Sequence, residues 1–371
     1  MARKHTIGDI AKLAGVSKAT VSRVLNNKPD VDPATRARIL QIMQEVGFVP
    51  SITASGLAGG RNRLLGVLIP SFNWFYVADI MRGVSETIGH TPYELLVYSI
   101  NDMARDNDKG DILDHIFSTK LPAGLLAILP GRSAQYVERL HIHGFPVVMI
   151  DDAAHHTAMP WINVDNVQGA RQAVKHLIAL GHRRIGHILG KKDYLCTLER
   201  YQGYCQELEA SGIAVDQTLV SQGDFEYLGG VEPARQLLSL PVEQRPTAIF
   251  AANDLTAYAV IDVANSFGLR VPEDIALVGF DDIASSLLVR PALTTVKQPF
   301  AEIGKHGVEL LLSLLDDSAQ PSFIFPSAET SRQPLQQVEA HSVQIVLSTR
   351  LVVRSSCGAK PLHHHMKDSF P

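Results

Sequence analysis

The stretch IAKLAGVSKATVSRVLN, residues 10–26, predicts two short helices joined by a tight turn. Apolar residues before the turn recur at the spacing of one helical face, and Gly15 gives the backbone the freedom that a turn requires. Ser17 is placed to cap the second helix, whose inner stripe includes Val21 and Val24. The opposite face of this helix presents Lys18, Ala19, Ser22 and Arg23. The pattern is typical of a helix-turn-helix.

Residues 1–48 as a whole predict an all-α bundle of three helices. Thr6 can cap the first helix in a capping box with Asp9, and Asp32 opens a third helix as its cap. Gly47 is expected to end that helix. A bundle of about 45 residues is only marginally stable by itself. We therefore expect this head to be a small helix-turn-helix domain attached to a larger body.

Charge is distributed unevenly along the chain. Residues 1–63 hold ten Lys and Arg against four Asp and Glu, a net charge of +6, whereas the whole chain carries −4. A basic head on an acidic body is typical of a phosphate-binding module joined to a different kind of domain. The alternative is a generic helical hairpin whose basic face is merely solvated. The charge asymmetry favours a DNA-binding head over that alternative.

The outward side chains of the second helix are expected to divide between bases and phosphates. Lys18, Ala19 and Arg23 are predicted to face base edges in the major groove, with Arg23 as the bidentate reader of guanine. The remaining predicted DNA contacts are small polar side chains, namely Thr6, Ser17, Thr20, Ser22 and Asn26.

Length and composition indicate a globular protein, because 371 residues with 46% apolar content can form two or three domains. The basic N-terminus lacks a following apolar run and no apolar stretch reaches about 18 residues, so neither a signal peptide nor a membrane span is expected. Three cysteines at no metal-ligand spacing suit a reducing compartment. Paired histidines such as His155 and His156 lack partners at a known spacing. We expect a cytoplasmic protein without a metal or cofactor.

From Leu64 onward, short apolar runs alternate with amphipathic segments, which predicts parallel sheets covered on both faces. Two sets of runs predict an α/β body of two doubly wound subdomains. The runs are 65–70, 95–100, 125–129, 147–150 and 161–164, then 184–189, 218–221, 248–251, 276–280 and 343–353. The predicted first subdomain covers 64–164 and about 295–320. The predicted second subdomain covers 165–294 and about 343–355. A loop is predicted over 318–341 and a tail over 356–371.

Polar and aromatic residues follow these predicted strands, at the edge where open parallel sheets bind ligands. Carboxylates and amides can hold hydroxyl groups, and rings can cover the apolar face of a pyranose. The pattern therefore suits a neutral polyhydroxylated ligand. Its candidate contacts are Ser71, Phe72, Asn73, Trp74, Asp151, Tyr194, Phe225, Asn253 and Asp281.

The chain resembles the lactose and galactose repressor (LacI/GalR) family of bacterial transcription regulators over nearly the whole of residues 5–355. The head carries the likeness, and so do LAGGRNRLLGVLIP (57–70), GHRRIGHILG (181–190), ERYQGY (199–204), FAANDLTAYAV (250–260) and LVGFDDIASSLLVRPALTTVKQPF (277–300). The resemblance implies that the effector is contacted by Arg200, Phe225, Asn253 and Asp281.

The same resemblance implies that the segment 49–63 folds as a hinge helix when it binds DNA. Ala54 and Leu57 would then enter the minor groove. A proline and three glycines disfavour a helix there in the absence of DNA, and a plain flexible linker is the alternative. The chain departs from the family at Ser55 and Gly56, where a longer polar or basic side chain is usual.

These observations predict a transcriptional repressor of carbohydrate-utilisation genes. It is expected to bind a palindromic operator as a homodimer and to respond to a mono- or disaccharide between the subdomains. A nucleobase or sugar-phosphate effector stays open, as does the direction of the response. One rival is a sugar-acting enzyme using Asp151, Asp281 and Asp282, although no nucleophile elbow or cofactor loop is present. The other is an extracytoplasmic sugar-binding protein, because the body also resembles the periplasmic-binding-protein fold, but a basic head has no use there.

Overall fold

The computed structural model describes residues 5–25, 28–48, 63–72, 74–100, 116, 118–119, 121–128, 134–150, 159–316 and 343–359. Its helices are α1 (Ile7–Ala14), α2 (Lys18–Leu25), α3 (Pro33–Glu45), α4 (Phe75–Ile88), α5 (Ala134–Ile142), α6 (Asn166–Ala179), α7 (Leu195–Ala210), α8 (Tyr227–Leu238), α9 (Asp254–Ser266) and α10 (Phe300–Leu315). Its strands are β1 (Leu64–Ile69), β2 (Glu94–Ser99), β3 (Gly124–Ile128), β4 (Val147–Ile150), β5 (Trp161–Val164), β6 (Ile185–Leu189), β7 (Val220–Gln222), β8 (Ala248–Ala251), β9 (Ala276–Asp281), β10 (Thr294–Lys297), β11 (Gln344–Leu347) and β12 (Arg350–Val352).

The head contains the three predicted helices. Thr6 and Asp9 complete the capping box of α1, because Thr6 N donates to Asp9 Oδ2 (2.9 Å) and Asp9 N donates to Thr6 Oγ1 (3.3 Å). Gly15 turns the chain with a φ of 62°, and Asp32 caps α3 by accepting from Thr35 N at 2.9 Å. The buried core of the head consists of Ile10, Ala11, Ala14, Val21, Val24, Val31, Ile39 and Met43.

Arg36 ties α3 to the end of α2. Its guanidinium donates to the carbonyl oxygen of Val24 at 3.4 Å and to that of Lys28. Carbonyl groups at a helix C-terminus lack partners within the helix and favour a nearby cation. Arg36 therefore helps to fix the second helix of the helix-turn-helix against the third.

The body contains two six-stranded sheets with helices on their faces. The first sheet has the order β11-β5-β4-β3-β1-β2, and all of its pairings are parallel. The second has the order β12-β10-β9-β8-β6-β7 and is parallel except at its edge, where β12 runs antiparallel to β10. We call the two units the first lobe and the second lobe. The predicted fold class is confirmed.

The end of the chain differs from the sequence-based prediction. The run 343–353 was expected to be one strand of the second subdomain, but it forms β11 in the first sheet and β12 in the second. Likewise, β10 pairs with β9 in the second sheet, although 295–320 was assigned to the first subdomain. The chain therefore passes between the lobes near Asp165, near Gln298 and near Ser348. Short apolar runs do not identify their sheet, because pairing depends on partners distant in sequence.

Two glycines allow α4 and α10 to pack closely on the first lobe. A Cβ at Gly83 would lie 1.9 Å from the carbonyl oxygen of Ala301, and one at Gly304 would lie 2.1 Å from that of Ile80. The two backbones are thus in direct contact, which places the start of α10 beside α4. Its first residue, Phe300, follows the Gln298 connection directly.

Candidate functional site

The predicted DNA-contacting residues of α2 lie on its outer face. Ser17, Lys18, Ala19 and Arg23 are exposed, and Thr20 and Ser22 are half-buried. Ser17 Oγ accepts from Thr20 N at 3.1 Å, so this hydroxyl caps the helix. Thr6 is exposed but is also occupied in the capping box. Three other predicted DNA contacts lie outside the described residues, namely Asn26, Ala54 and Leu57. Two predicted effector contacts, Asn73 and Asp151, also lie outside them.

Arg200 is the cation of the predicted effector site. It lies on α7 and is only 4% exposed. Its Nε donates to Asn166 Oδ1 at 2.9 Å, and its Nη1 donates to the carbonyl of Ala252 at 2.7 Å. The guanidinium carbon lies 3.8 Å from the centroid of the Phe280 ring. A planar cation held by two fixed acceptors over an aromatic face is well oriented to bind hydroxyl oxygens.

Asp281 lies beside Arg200 at the end of β9. Its Oδ1 is 3.8 Å from Arg200 Nη1 and accepts from Gln298 Nε2 at 2.7 Å. Asp281 has a φ of 118°, which is uncommon for a residue with a side chain. Strained backbone of this kind clusters at active sites, ligand-binding sites and switch regions. The predicted pair of Arg200 and Asp281 is therefore brought together in the structure.

Asn253 and Asp254 occupy the start of α9 near these two side chains. Asn253 caps the helix by accepting from Thr256 N at 2.9 Å, and its Nδ2 donates to the carbonyl of Phe225 at 2.7 Å. Asp254 is fully buried and accepts hydrogen bonds from Ile283, Ser286 and Thr295. Burial and the nearby Asp281 carboxylate raise the pKa of Asp254 above its usual range. Asn253 therefore has a structural role, and its contact with the effector stays a prediction.

A row of aromatic rings joins the lobes beside Arg200. Trp74, just before α4 of the first lobe, lies edge-on to Tyr194 of the second lobe with ring centroids 6.5 Å apart. Tyr194 is 6.1 Å from Phe225, which is in turn 5.7 Å from the Arg200 guanidinium. Phe225 adopts a φ of 74°. Phe72, also a predicted contact, is 73% exposed and lies outside this row. Ser71 is half-buried after β1.

Four further residues of this region were missed by the sequence analysis. Asn166 links Arg200 to Glu199, because its Nδ2 donates to Glu199 Oε2 at 2.9 Å. Gln298 follows β10, which was not recognised as a strand. Tyr76 and Phe300 extend the aromatic row within the first lobe, with centroids 5.6 Å apart. Asn166 was detectable in principle, since it follows β5 as the other candidates follow their strands.

Asp282, one of the three carboxylates that the enzyme alternative named, has a different environment from Asp281. It lies 3.6 Å from Lys297 Nζ and 2.5 Å from Arg354 Nη2. Arg354 also donates to the carbonyl of Leu293 at 2.7 Å. The carboxylate thus anchors the C-terminal segment to the second sheet and does not form an acid and base pair with Asp281.

Two negative observations apply to the described part of the chain. Its His, Cys, Asp and Glu side chains form no group of three arranged to hold a metal ion. None of its helices has the length and apolar content needed to cross a bilayer.

Comparison with known proteins gives consistent matches for both parts of the chain. Residues 6–51 match the model of the lacI family of bacterial regulatory proteins, and 174–357 match a periplasmic-binding-protein-like domain. The chain is 36% identical over 310 residues to the HTH-type transcriptional repressor CytR of Escherichia coli (strain K12), covering 83% of this chain and 89% of that one.

Two solved structures are similar over almost their whole length. The lac repressor dimer bound to operator and the anti-inducer ONPF superposes with a TM-score of 0.79 at 27% identity, covering 96% of this chain and 100% of that one. A complex of the transcriptional regulator CelR with cellobiose gives 0.67 at 30% identity, covering 95% and 99%. These relatives are regulators and not enzymes. The chain therefore belongs to the LacI family, and it is a DNA-binding transcription regulator with an effector-binding body.

Proposed function

We propose that this regulator is a repressor whose effector is a neutral mono- or disaccharide bound between the lobes. The observation that carries the proposal is the buried pair of Arg200 and Asp281. Phe225 lies beside Arg200, and the aromatic row continues from Phe225 through Tyr194 to Trp74 of the first lobe. The charges of the pair offset each other, so the pair suits hydroxyl groups rather than an anion. The rings can cover the apolar face of a pyranose.

Relatives support a sugar as the effector class. The matched CelR structure is a complex with cellobiose, and a second lac repressor structure, 26% identical to this chain with a TM-score of 0.78, is bound to ONPG. A sugar phosphate is the second candidate, because Lys191 Nζ lies 5.4 Å from the centroid of the Tyr194 ring. This exposed cation could bind a phosphate at the edge of the site.

The proposed switch is closure of the lobes around the effector. A ligand that touches Trp74 on one lobe and Arg200 on the other binds best when the lobes are closed. Closure displaces the first lobes of a dimer and with them the hinge segments 49–63. Ligand and operator are then linked through one equilibrium, with a coupling of about 1–3 kcal/mol.

On DNA, the proposed active form is a homodimer reading a palindrome, since one head buries too little surface to be both tight and selective. Large apolar side chains are exposed on both lobes and are the candidate contacts of such an assembly. They are Phe72 (73% exposed) and Phe75 (58%) on the first lobe, and Leu228 (79%) and Leu288 (76%) on the second. A regulator that acts on chromosomal DNA in this way works in the cytoplasm.

Two measurements test the proposal. Thermal unfolding against mono- and disaccharides, sugar phosphates and nucleobases identifies the effector, because a ligand at 100 times its dissociation constant stabilises the protein by about 2.7 kcal/mol. Selection of duplexes from a random pool identifies the operator. We expect a saccharide to raise the unfolding temperature and to change operator affinity. Stabilisation by a nucleobase alone would contradict the proposed effector class, and failure to select any sequence would contradict the proposed DNA function.

A further inference from the structure

Arg23, the predicted guanine reader, forms an ion pair with a residue outside the recognition helix. Its Nη1 lies 3.6 Å from Oδ2 of Asp30, in the turn between α2 and α3. The two side chains are 59% and 56% exposed. An exposed pair at this distance contributes little to stability, because water and salt screen it. The fold of the head therefore gains little from the position of Asp30.

The other acidic side chains of the head have local structural roles. Asp9 closes the capping box of α1, and Asp32 caps α3. Glu45 accepts from Gln41 Nε2 at 2.8 Å along α3. Asp30 differs from these three because its ion pair is with the recognition helix itself. It places a carboxylate next to the face that meets the polyanionic duplex.

A carboxylate at this position has two physical effects on DNA binding. It reduces attraction to phosphates in general, and so weakens binding to every sequence equally. It also restrains the flexible Arg23 side chain, and a bidentate contact with guanine requires the guanidinium plane to be held in one orientation. An Arg23 that swings freely can instead bind a neighbouring phosphate, which carries no sequence information.

We propose that Asp30 is a positioning residue that increases sequence specificity by holding Arg23 toward the base edges. Asp30 thereby weakens binding to every DNA sequence but increases discrimination at one base pair of each half-site. This inference rests on the proposed function, in which Arg23 reads a base.

The test uses the full-length protein and compares Asp30→Asn with Glu45→Gln. Both variants remove one negative charge from the head, but Glu45 lies at the end of α3 and contacts Gln41. Operator sequences are selected from a random pool, and affinities for the selected site, its single-base variants and random duplex are then measured by fluorescence anisotropy. Asp30→Asn should reduce discrimination at one base pair per half-site by about two- to fivefold, the coupling typical of an exposed ion pair. It should also strengthen binding to random duplex.

Controls separate positioning from net charge and from folding. Glu45→Gln should strengthen binding to all duplexes by the same factor and leave discrimination unchanged, and Asp30→Glu should retain wild-type discrimination. In an Arg23→Ala background, Asp30→Asn should no longer change base preference. The inference is overturned if Asp30→Asn behaves like Glu45→Gln, or if its effect on base preference persists without Arg23. A wild-type protein that selects no sequence would instead refute the proposed function.

Discussion

Gln298 donates two hydrogen bonds to Asp281, from its main-chain N to the carbonyl oxygen at 3.2 Å and from Nε2 to Oδ1 at 2.7 Å. Gln298 lies where the chain leaves the second sheet for α10 of the first lobe. The carboxylate proposed to bind the effector is thus held by one of the three connections between the lobes. We expect a displacement of Asp281 on effector binding to be transmitted directly to this connection.

We predict that Asp281→Ala abolishes the effect of the sugar on operator binding while leaving operator affinity without sugar nearly unchanged. The substitution removes a proposed effector contact and leaves the head intact. It also leaves Gln298 without its side-chain acceptor, so stability should fall by about 1–3 kcal/mol. Operator affinity measured with and without sugar checks the prediction.

The matched control is Asp274→Ala. Asp274 also forms an ion pair with an arginine, the exposed Arg270, but this pair lies before β9 and away from the lobe connections. That variant should respond to the sugar as the wild type does. If Asp281→Ala still responded at the same sugar concentration, the effector site would lie elsewhere in the body.

Gly190→Ala should weaken sugar binding by displacing Phe225. A Cβ at Gly190 would lie 2.0 Å from Phe225 Cζ, so the ring must leave its place beside Arg200. Gly89→Ala is a suitable control, because the atoms near its Cβ begin at 3.4 Å. Titration calorimetry with the sugar should show weaker binding for Gly190→Ala alone. Equal affinities for both variants would remove Phe225 from the site.

Acid should destabilise the body through His187. Burial lowers the pKa of His187 to about 4, and its Nδ1 donates to the carbonyl of Phe250 at 2.8 Å. Below about pH 6.5 the unfolded chain binds a proton that the folded chain refuses until about pH 4. Stability should therefore fall as the pH drops through this window, by up to about 3 kcal/mol.

Denaturant unfolding of His187→Asn between pH 4 and pH 7 checks this prediction. The variant should lose much of the pH dependence whatever its stability at pH 7, whereas the exposed His90→Asn should keep the wild-type slope. An unchanged slope in His187→Asn would show that other groups cause the loss of stability in acid.

Leu288→Glu should yield a monomer that binds a palindrome weakly. Tyr258 donates or accepts a hydrogen bond with Ser285 at 3.0 Å, and Tyr227 donates one to Asp262 at 2.5 Å. These bonds join α8 to α9 and α9 to the turn after β9, and the exposed Leu228 and Leu288 lie on α8 and directly after that turn. Sedimentation measures the assembly, and Val242→Glu, on a loop at the opposite end of the strands, serves as control. A variant that stays dimeric would instead favour the first lobe as the interface.

The sequence was sufficient for features set by local patterns. Capping by Thr6 and Asp32 and the turn at Gly15 need only neighbours in the chain, and continuous apolar runs such as β3 and β9 indicate parallel sheets. The order of strands at the sheet edges was not predictable in this way. A four-residue run such as β10 has the same appearance whether it joins one sheet or the other.

The candidate site was predicted where residues follow strands or match a family motif. Arg200 came only from the resemblance, because nothing in the local pattern distinguishes a buried arginine from an exposed one. Its acceptors, Asn166 and the carbonyl of Ala252, are 34 and 52 residues away in the chain. Gln298 was missed because its importance depends on β10 being a strand of the second sheet.

The division of the last strands between the two sheets affects how the protein is completed during synthesis. β11 and β12 are separated by two residues, yet each supplies an edge strand to a different lobe. A ribosome must therefore translate nearly the whole sequence before either lobe gains its final strand. A product that stops before Gln344 leaves β5 and β10 as uncovered sheet edges, which are prone to aggregation. Chains that stop before Gln344 therefore lack the final strand of both lobes, so their DNA-binding head is not attached to one finished lobe.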